Sequence, residues 1–373
     1  MNQHSRLIVL KSPEGSEVAV WPAMQGCVLT STADGDAGRS FGWVNEQLIA
    51  SGKIQQHINA VGGEDRLWLG PEGGQYSIFF APGAPFDLEH WYTPAALDTE
   101  AFAISSESPD RVSFTKQIQL TNYSGTDFNV RIDRIVSLLN RQQVQNDLNI
   151  DLPAEVKAVG YESENTLTNV SSKAMQRSTG VLSLWVLGQF RAAPESTIIL
   201  PVKPGPVDQL GRVVKTDYFG TVPPSRIDIT PKAVFFRADS NFRSKLGLNP
   251  KRSEGVIGSY DPEHHVLTIV QFNQEPTAEY ANSAWELQKA PYAGDVANCY
   301  NDGVPAPGKP QLGHFYELES SSPAKALAPR ASVEHTQRTI HLVAAQPELD
   351  RIAVKVLGIR LAAVDRFASP GKP

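Results

Sequence analysis

Two cysteines in 373 residues, Cys27 and Cys299, exclude a disulfide framework; one bridge is the most they can form. No apolar run approaches the roughly 20 residues that cross a bilayer as a helix. The apolar run at 7–10 is too short for the core of a signal peptide. The chain as written reads as soluble and cytoplasmic, with no membrane partner, and a chain trimmed of a leader would read the same. Basic excess is missing too. Lys and Arg number 34 against 40 Asp and Glu, a net charge of −6, so no nucleic-acid partner is expected. The Gly-Gly pairs at 62–63 and 73–74 are not phosphate loops, because no Gly-x-x-x-x-Gly-Lys is present and no helical pattern follows. There is no internal repeat and no linker of disordered composition, so 1–373 reads as one domain.

What is present is punctuation. Gly (28) and Pro (27) interrupt short β-branched runs along the whole chain, the signature of an all-β sandwich or barrel. Residues 111–120 alternate Val112, Phe114, Lys116, Ile118 and Leu120 at period two. Residues 181–190 are apolar on both faces and read as a central strand. Residues 140–151 are polar and read as a loop. Only the C-terminus reads as helical, opened by Pro347 and carrying Ile352, Val356 and Ile359 on one side; 369–373 should fray. About twenty strands and one C-terminal helix predict an all-β fold, a large two-layer antiparallel β-sandwich.

Three stretches carry chemistry. In 311–342, period two puts Phe315, Glu317 and Glu319 on one strand face, and His314, Tyr316 and Leu318 on the other. One reading is a solvated edge strand, charged against aggregation. The other is the floor of a polar pocket, with one carboxylate as base or hydrogen-bond acceptor; the flanking aromatics and His314 favour it. In 59–76, Arg66 and Trp68 share a face, followed by Glu72 in a Pro-Glu-Gly-Gly turn. A guanidinium that donates to hydroxyls beside an indole that stacks on C–H faces suits a sugar. An Arg–Glu pair beside a core Trp is the plainer alternative. His90 and Trp91 end a Pro- and aromatic-rich loop, either as its anchor or as a pocket wall. In 295–308, Asn298, Tyr300, Asn301 and Asp302 crowd together, as turn chemistry or as a binding loop. No cofactor is expected. Ca²⁺ stays open as an alternative, because Asp302, Glu317 and Glu319 offer the oxygens it takes, although no contiguous loop motif supports it.

The end of the chain resembles galactose mutarotase-like (aldose 1-epimerase-like) proteins. Their pattern is a Gly, a short strand with a Glu, a Pro-containing loop and Leu-x-Pro-Gly. Here Gly313, Glu317 or Glu319, Pro323 and Leu327-Ala328-Pro329 follow that order, with Arg330 in place of the last Gly. Asp65-Arg66 resembles the family's Asn-Arg pair, whose Arg contacts the sugar. His90 stands where the family has a sugar-contacting His. Leu167-Thr168-Asn169 resembles the lead-in to the family's general-acid His, but Val170 follows here. The wording is most similar to a bacterial branch to which no reaction is attached.

The resemblance implies a β-sandwich that acts on or binds a sugar, and three functions follow. An epimerase would use Glu317 or Glu319 as base, Arg66 and His90 to orient hydroxyls, and His314, Tyr300 or Asp302 as acid. A non-catalytic sugar binder would rely on Trp68 and Trp91. A glycoside hydrolase or polysaccharide lyase would set Asp302 or Glu72 opposite Glu317. The partner in each case is a small sugar or an oligosaccharide.

Overall fold

The computed structural model describes residues 6–368, and the fraying expected at 369–373 lies outside them. Nineteen strands in these residues make three antiparallel sheets. The largest has ten strands. From one edge they are Ala103–Ser108, Arg111–Thr121, Asp127–Leu139, Lys157–Asn169, Ser332–Val343, Val266–Phe272, Val256–Asp261, Thr197–Pro201, Ala233–Arg237 and Ile227–Ile229. The second has six, in the order Val214–Lys215, Ser244–Leu248, Ala297–Asn301, Phe315–Ser321, Ser183–Arg191 and Arg66–Gly70. Ile8–Lys11, Glu17–Trp21 and Cys27–Thr32 form the third.

Period-two alternation decides how the six-stranded sheet packs. Leu246, Cys299, Leu318, Tyr316 and Phe190 turn to one face and join Ile198, Phe236, Ile257 and Val270 of the ten-stranded sheet in one buried cluster. That contact is the sandwich interior. The alternate residues of the same strands occupy the opposite face, which is where the polar site lies. The outer face of the ten-stranded sheet is covered by helices. Ile269, Ile340 and Leu342 pack there with Val144, Leu148, Leu349, Ile352 and Leu361.

Two local readings differ from the structure. Residues 140–151 are not a loop: Arg141–Leu148 is a helix, closed by a capping box between Asn140 and Gln143, with Val144 and Leu148 buried. The Asn-x-x-Gln signal and the apolar i,i+4 pair were both present in a segment whose polarity obscured them. The C-terminal helix is two, Gln346–Leu357 and Leu361–Ala368, because Gly358 takes a left-handed conformation (φ 68°) that ends the first. The residues 212–219 contribute only the two-residue strand Val214–Lys215. Cys27 and Cys299 are both buried and free. No helix among the described residues is long and apolar enough to cross a membrane.

Candidate functional site

Pairing across the six-stranded sheet lines up its outward residues. Lys245 lies opposite Tyr300, Tyr300 opposite Glu317, and Glu317 opposite Gln189. The next row runs Asn298, Glu319, Leu187, Arg66. Trp185 and Trp68 follow as a cross-strand pair. Each of these side chains is forced to the same face by its odd or even place in a strand whose alternate positions are apolar. All but Asn298 and Glu319 floor a pocket enclosing about 760 Å³, its solvent-open mouth included. The walls come from loops: Glu72, Trp91, Phe219 and Trp285, with Leu88 and Leu312 at the rim. Gly73 and Gly74 let the Glu72 loop approach the Trp285 loop. A Cβ on Gly73 would stand 2.5 Å from the Ala284 carbonyl oxygen, and Gly74 has φ 83°.

The aromatic walls are contiguous. The Trp68 ring lies 5.4 Å from Trp185 and 6.2 Å from Trp91, and Trp91 stacks on Trp285 at 6.0 Å. Arg66 is buried, pairs with Asp98, donates to the Asn59 carbonyl at 3.1 Å and stands 5.2 Å from the Trp68 ring centre.

The carboxylates are not equivalent. Glu319 is fully buried; its Oε2 accepts from Trp185 Nε1 at 2.8 Å and from Lys245 Nζ at 3.0 Å. Glu317 lines the pocket, and its Oε1 accepts from Gln189 Nε2 at 2.7 Å. Burial pushes the Glu317 carboxyl up to about 8, and the neighbouring Glu319 charge adds to it against the opposing pull of Gln189 and Lys245. Burial also raises Glu72, against the pull of Lys245. Burial on its own would lower the Lys245 ammonium. The carboxylates Glu319, Glu72 and Glu317 outweigh it and hold Lys245 above its ordinary value. Several polar atoms at the pocket have no partner within the protein: Trp68 Nε1, Trp91 Nε1, Arg66 Nε, Gln189 Oε1 and Glu319 Oε1.

Of the residues singled out from sequence, the fold gathers Arg66, Trp68, Glu72, Trp91, Tyr300 and Glu317 around this pocket. Glu319 lies directly beneath it. Others fall elsewhere. His90 binds Asp87 within its own loop, 2.7 Å from Nδ1 to Oδ1, and does not line the pocket. His314 is exposed, one residue before the carboxylate strand. Asn298 donates to the Leu246 carbonyl at 3.1 Å. Asn301 is turned inward, holding Ser240 N and the Phe242 carbonyl. Asp302 sits behind Tyr300, accepting from its hydroxyl at 2.7 Å and from Gly313 N at 2.9 Å. Val170 follows the last residue of the strand Lys157–Asn169 in the other sheet and is no part of the pocket. No group of three or more His, Cys, Asp or Glu among the described residues is arranged to hold a metal ion.

Sequence reasoning missed Lys245, Arg243, Gln189, Phe219 and Trp285, and it left Trp185 inside a strand read as apolar on both faces. Lys245 had a signal, a lone charge inside the apolar strand Ser244–Leu248. The others had none that period or composition could expose.

The family of unknown function DUF6786 matches residues 1–368. No curated protein matches the sequence. Solved structures do. A protein from Synechocystis sp. PCC 6803 aligns over 91% of this chain and 96% of its own, with TM-score 0.50 and 11% identity. An Escherichia coli K12 protein described as a "Putative aldose 1-epimerase" aligns over 90% of this chain and 98% of its own, with TM-score 0.50 and 14% identity. A "galactose mutarotase-like protein" from Lactobacillus casei ATCC 334 aligns over 91% and 99%, with TM-score 0.48 and 14% identity. At these identities the likeness is one of fold: the β-sandwich of the Synechocystis and Escherichia coli proteins.

Proposed function

The chain belongs to the DUF6786 family, and from its site we propose that the pocket binds a reducing sugar and exchanges its anomers. One observation carries this reading: a carboxyl poised near neutrality, Glu317, on the floor of a pocket walled by tryptophans. Indole faces stack on the C–H faces of a pyranose, while Arg66, Gln189 and the unpartnered indole N–H groups meet its hydroxyls.

Glu317 holds its proton at neutral pH, so it serves first as the acid rather than the base. Glu72, the other carboxyl lining the pocket, is the base, and its raised value makes it a stronger one. Glu72 takes the proton of the anomeric hydroxyl as Glu317 gives its own to the ring oxygen. The bond between the anomeric carbon and the ring oxygen breaks, and an open-chain aldehyde forms. Rotation presents the other carbonyl face. The ring hydroxyl attacks it, returning its proton to Glu317, while the new anomeric hydroxyl takes its proton from Glu72. The buried Lys245–Glu319 pair keeps a fixed charge beneath Glu317 through the cycle.

Proton NMR on a panel of reducing sugars tests this, with saturation transfer and anomer exchange recorded together. The reading expects accelerated exchange that Glu317→Gln abolishes while saturation transfer persists. Binding without exchange would leave a sugar-binding protein and sink the epimerase. Release of reducing ends from an oligosaccharide would turn the Glu72–Glu317 pair into a hydrolytic one. Silence in every channel would end the sugar reading.

A further inference from the structure

Three cations line the pocket, and their partners differ. Arg66 is paired with Asp98, both buried. Lys245 is paired with Glu319 at 3.0 Å. Arg243 lines the same pocket just before the strand Ser244–Leu248, and among the described residues no carboxylate lies within ion-pair distance of it. It is not loose. Its guanidinium carbon sits 3.7 Å from the centre of the Phe219 ring and 6.0 Å from that of Tyr300. Phe219 is itself held edge-on against Trp285 and Tyr300. The guanidinium plane is thus fixed on an aromatic plate, and its N–H edges carry no charged partner.

We propose that the substrate is an anionic sugar, and that Arg243 receives its carboxylate or phosphate. This rests on the sugar reading above and narrows it. A neutral sugar needs hydroxyl partners, which the indole N–H groups, Gln189 and Arg66 already supply. A fixed planar fork matches the two oxygens of a carboxylate or phosphate and pairs with them bidentately. The apolar rim residues Leu88 and Leu312 border the same space and thin the water that would screen the pair. Glu72 and Asp302 lie near enough to feel the Arg243 charge but form no ion pair with it, and the contacts of Glu317 and Glu319 run to Gln189, Trp185 and Lys245.

The test compares matched probes on the wild-type protein: glucose and galactose, the corresponding uronates, and the corresponding 6-phosphates. Dissociation constants come from calorimetry at low and high salt. The expected result is an anionic probe bound at least about tenfold tighter than its neutral parent, with the advantage shrinking in salt. Whether uronate or phosphate leads identifies the group. In Arg243→Gln the ratio of anionic to neutral affinity should collapse toward one, and Arg243→Lys should restore part of it as a point charge without a fork. Neutral sugars bound as tightly as the anionic ones would overturn this proposal and leave the sugar pocket standing. So would an Arg243→Gln protein that folds and keeps the wild-type ratio. Absence of binding by all six probes would overturn both readings. The wild-type comparison needs no variant, so a folding defect cannot mask the answer.

Discussion

Two buried ion pairs of this chain have similar chemistry and opposite surroundings. Asp65–Arg134 lies inside the sandwich, and both side chains are fully buried. Every polar arm is used there. Arg134 donates from Nε to the Gly26 carbonyl, from Nη1 to Asn165 Oδ1, and from Nη2 to the carbonyl and Oδ1 of Asp65. Ser163 Oγ donates to the remaining Asp65 oxygen. Glu319–Lys245 lies under the pocket. There one carboxylate oxygen takes both Trp185 and Lys245, and Glu319 Oε1 has no partner, like Gln189 Oε1 and two indole N–H groups nearby. A closed network holds sheets in register. An open one carries unmet hydrogen-bonding capacity, which costs free energy until a ligand meets it. The difference separates scaffold from site, although both consist of a carboxylate and a cation.

The comparison can be broken most sharply at the closed end. Arg134→Met should cost about 3–5 kcal/mol, because it strands the Asp65 carboxylate in the interior; a denaturation midpoint near wild type would show that the network is not structural. At the open end, Glu317→Gln should slow anomer exchange by roughly a hundredfold or more with the fold intact. An unchanged rate would remove Glu317 from the chemistry. The acid form of Glu317 is lost as pH rises through about 8, so exchange should fall by about tenfold per unit above that value. A rate that keeps rising with pH would assign Glu317 to the base role instead.

Stability should move the opposite way from activity at the same residue. The fold favours the neutral Glu317 carboxyl, a contribution fully present below the ordinary carboxylate range and lost as pH rises through about 8. Glu317→Gln removes that loss. It should raise stability by about 1–2 kcal/mol in alkaline buffer, discounted for solvent at the mouth, and by little in acid. Equal melting shifts at both extremes would contradict this. Smallest of all, Trp285→Ala should weaken sugar binding by about 0.5–1.5 kcal/mol through lost stacking; calorimetry would read it as a several-fold change.

Period two was enough to sort the carboxylate strand. Phe315 and Glu317 line the pocket, while Tyr316 and Leu318 enter the core between the sheets, as alternation requires. Arg66 and Trp68 were legible for the same reason. His90 was not, because the resemblance placed it by order along the chain, and order says nothing about where a loop turns its side chains; His314 was offered as an acid although period two set it on the face opposite Glu317. His90 closes on Asp87 three residues away, and His314 stands outside the first paired residue of its strand.

The all-β class, the antiparallel sandwich and the polar face of Phe315–Ser321 were determined by the sequence itself, because strand alternation and turn residues act within a few positions. Which charges meet was decided only by the tertiary structure. Lys245 reaches Glu319 across 74 positions, and Trp185 reaches it across 134. The proton on Glu317 likewise depends on burial and on a neighbouring charge that exist only once distant strands have paired. Local pattern sets which way a side chain points. Its protonation and its partners follow from what the folded chain brings against it.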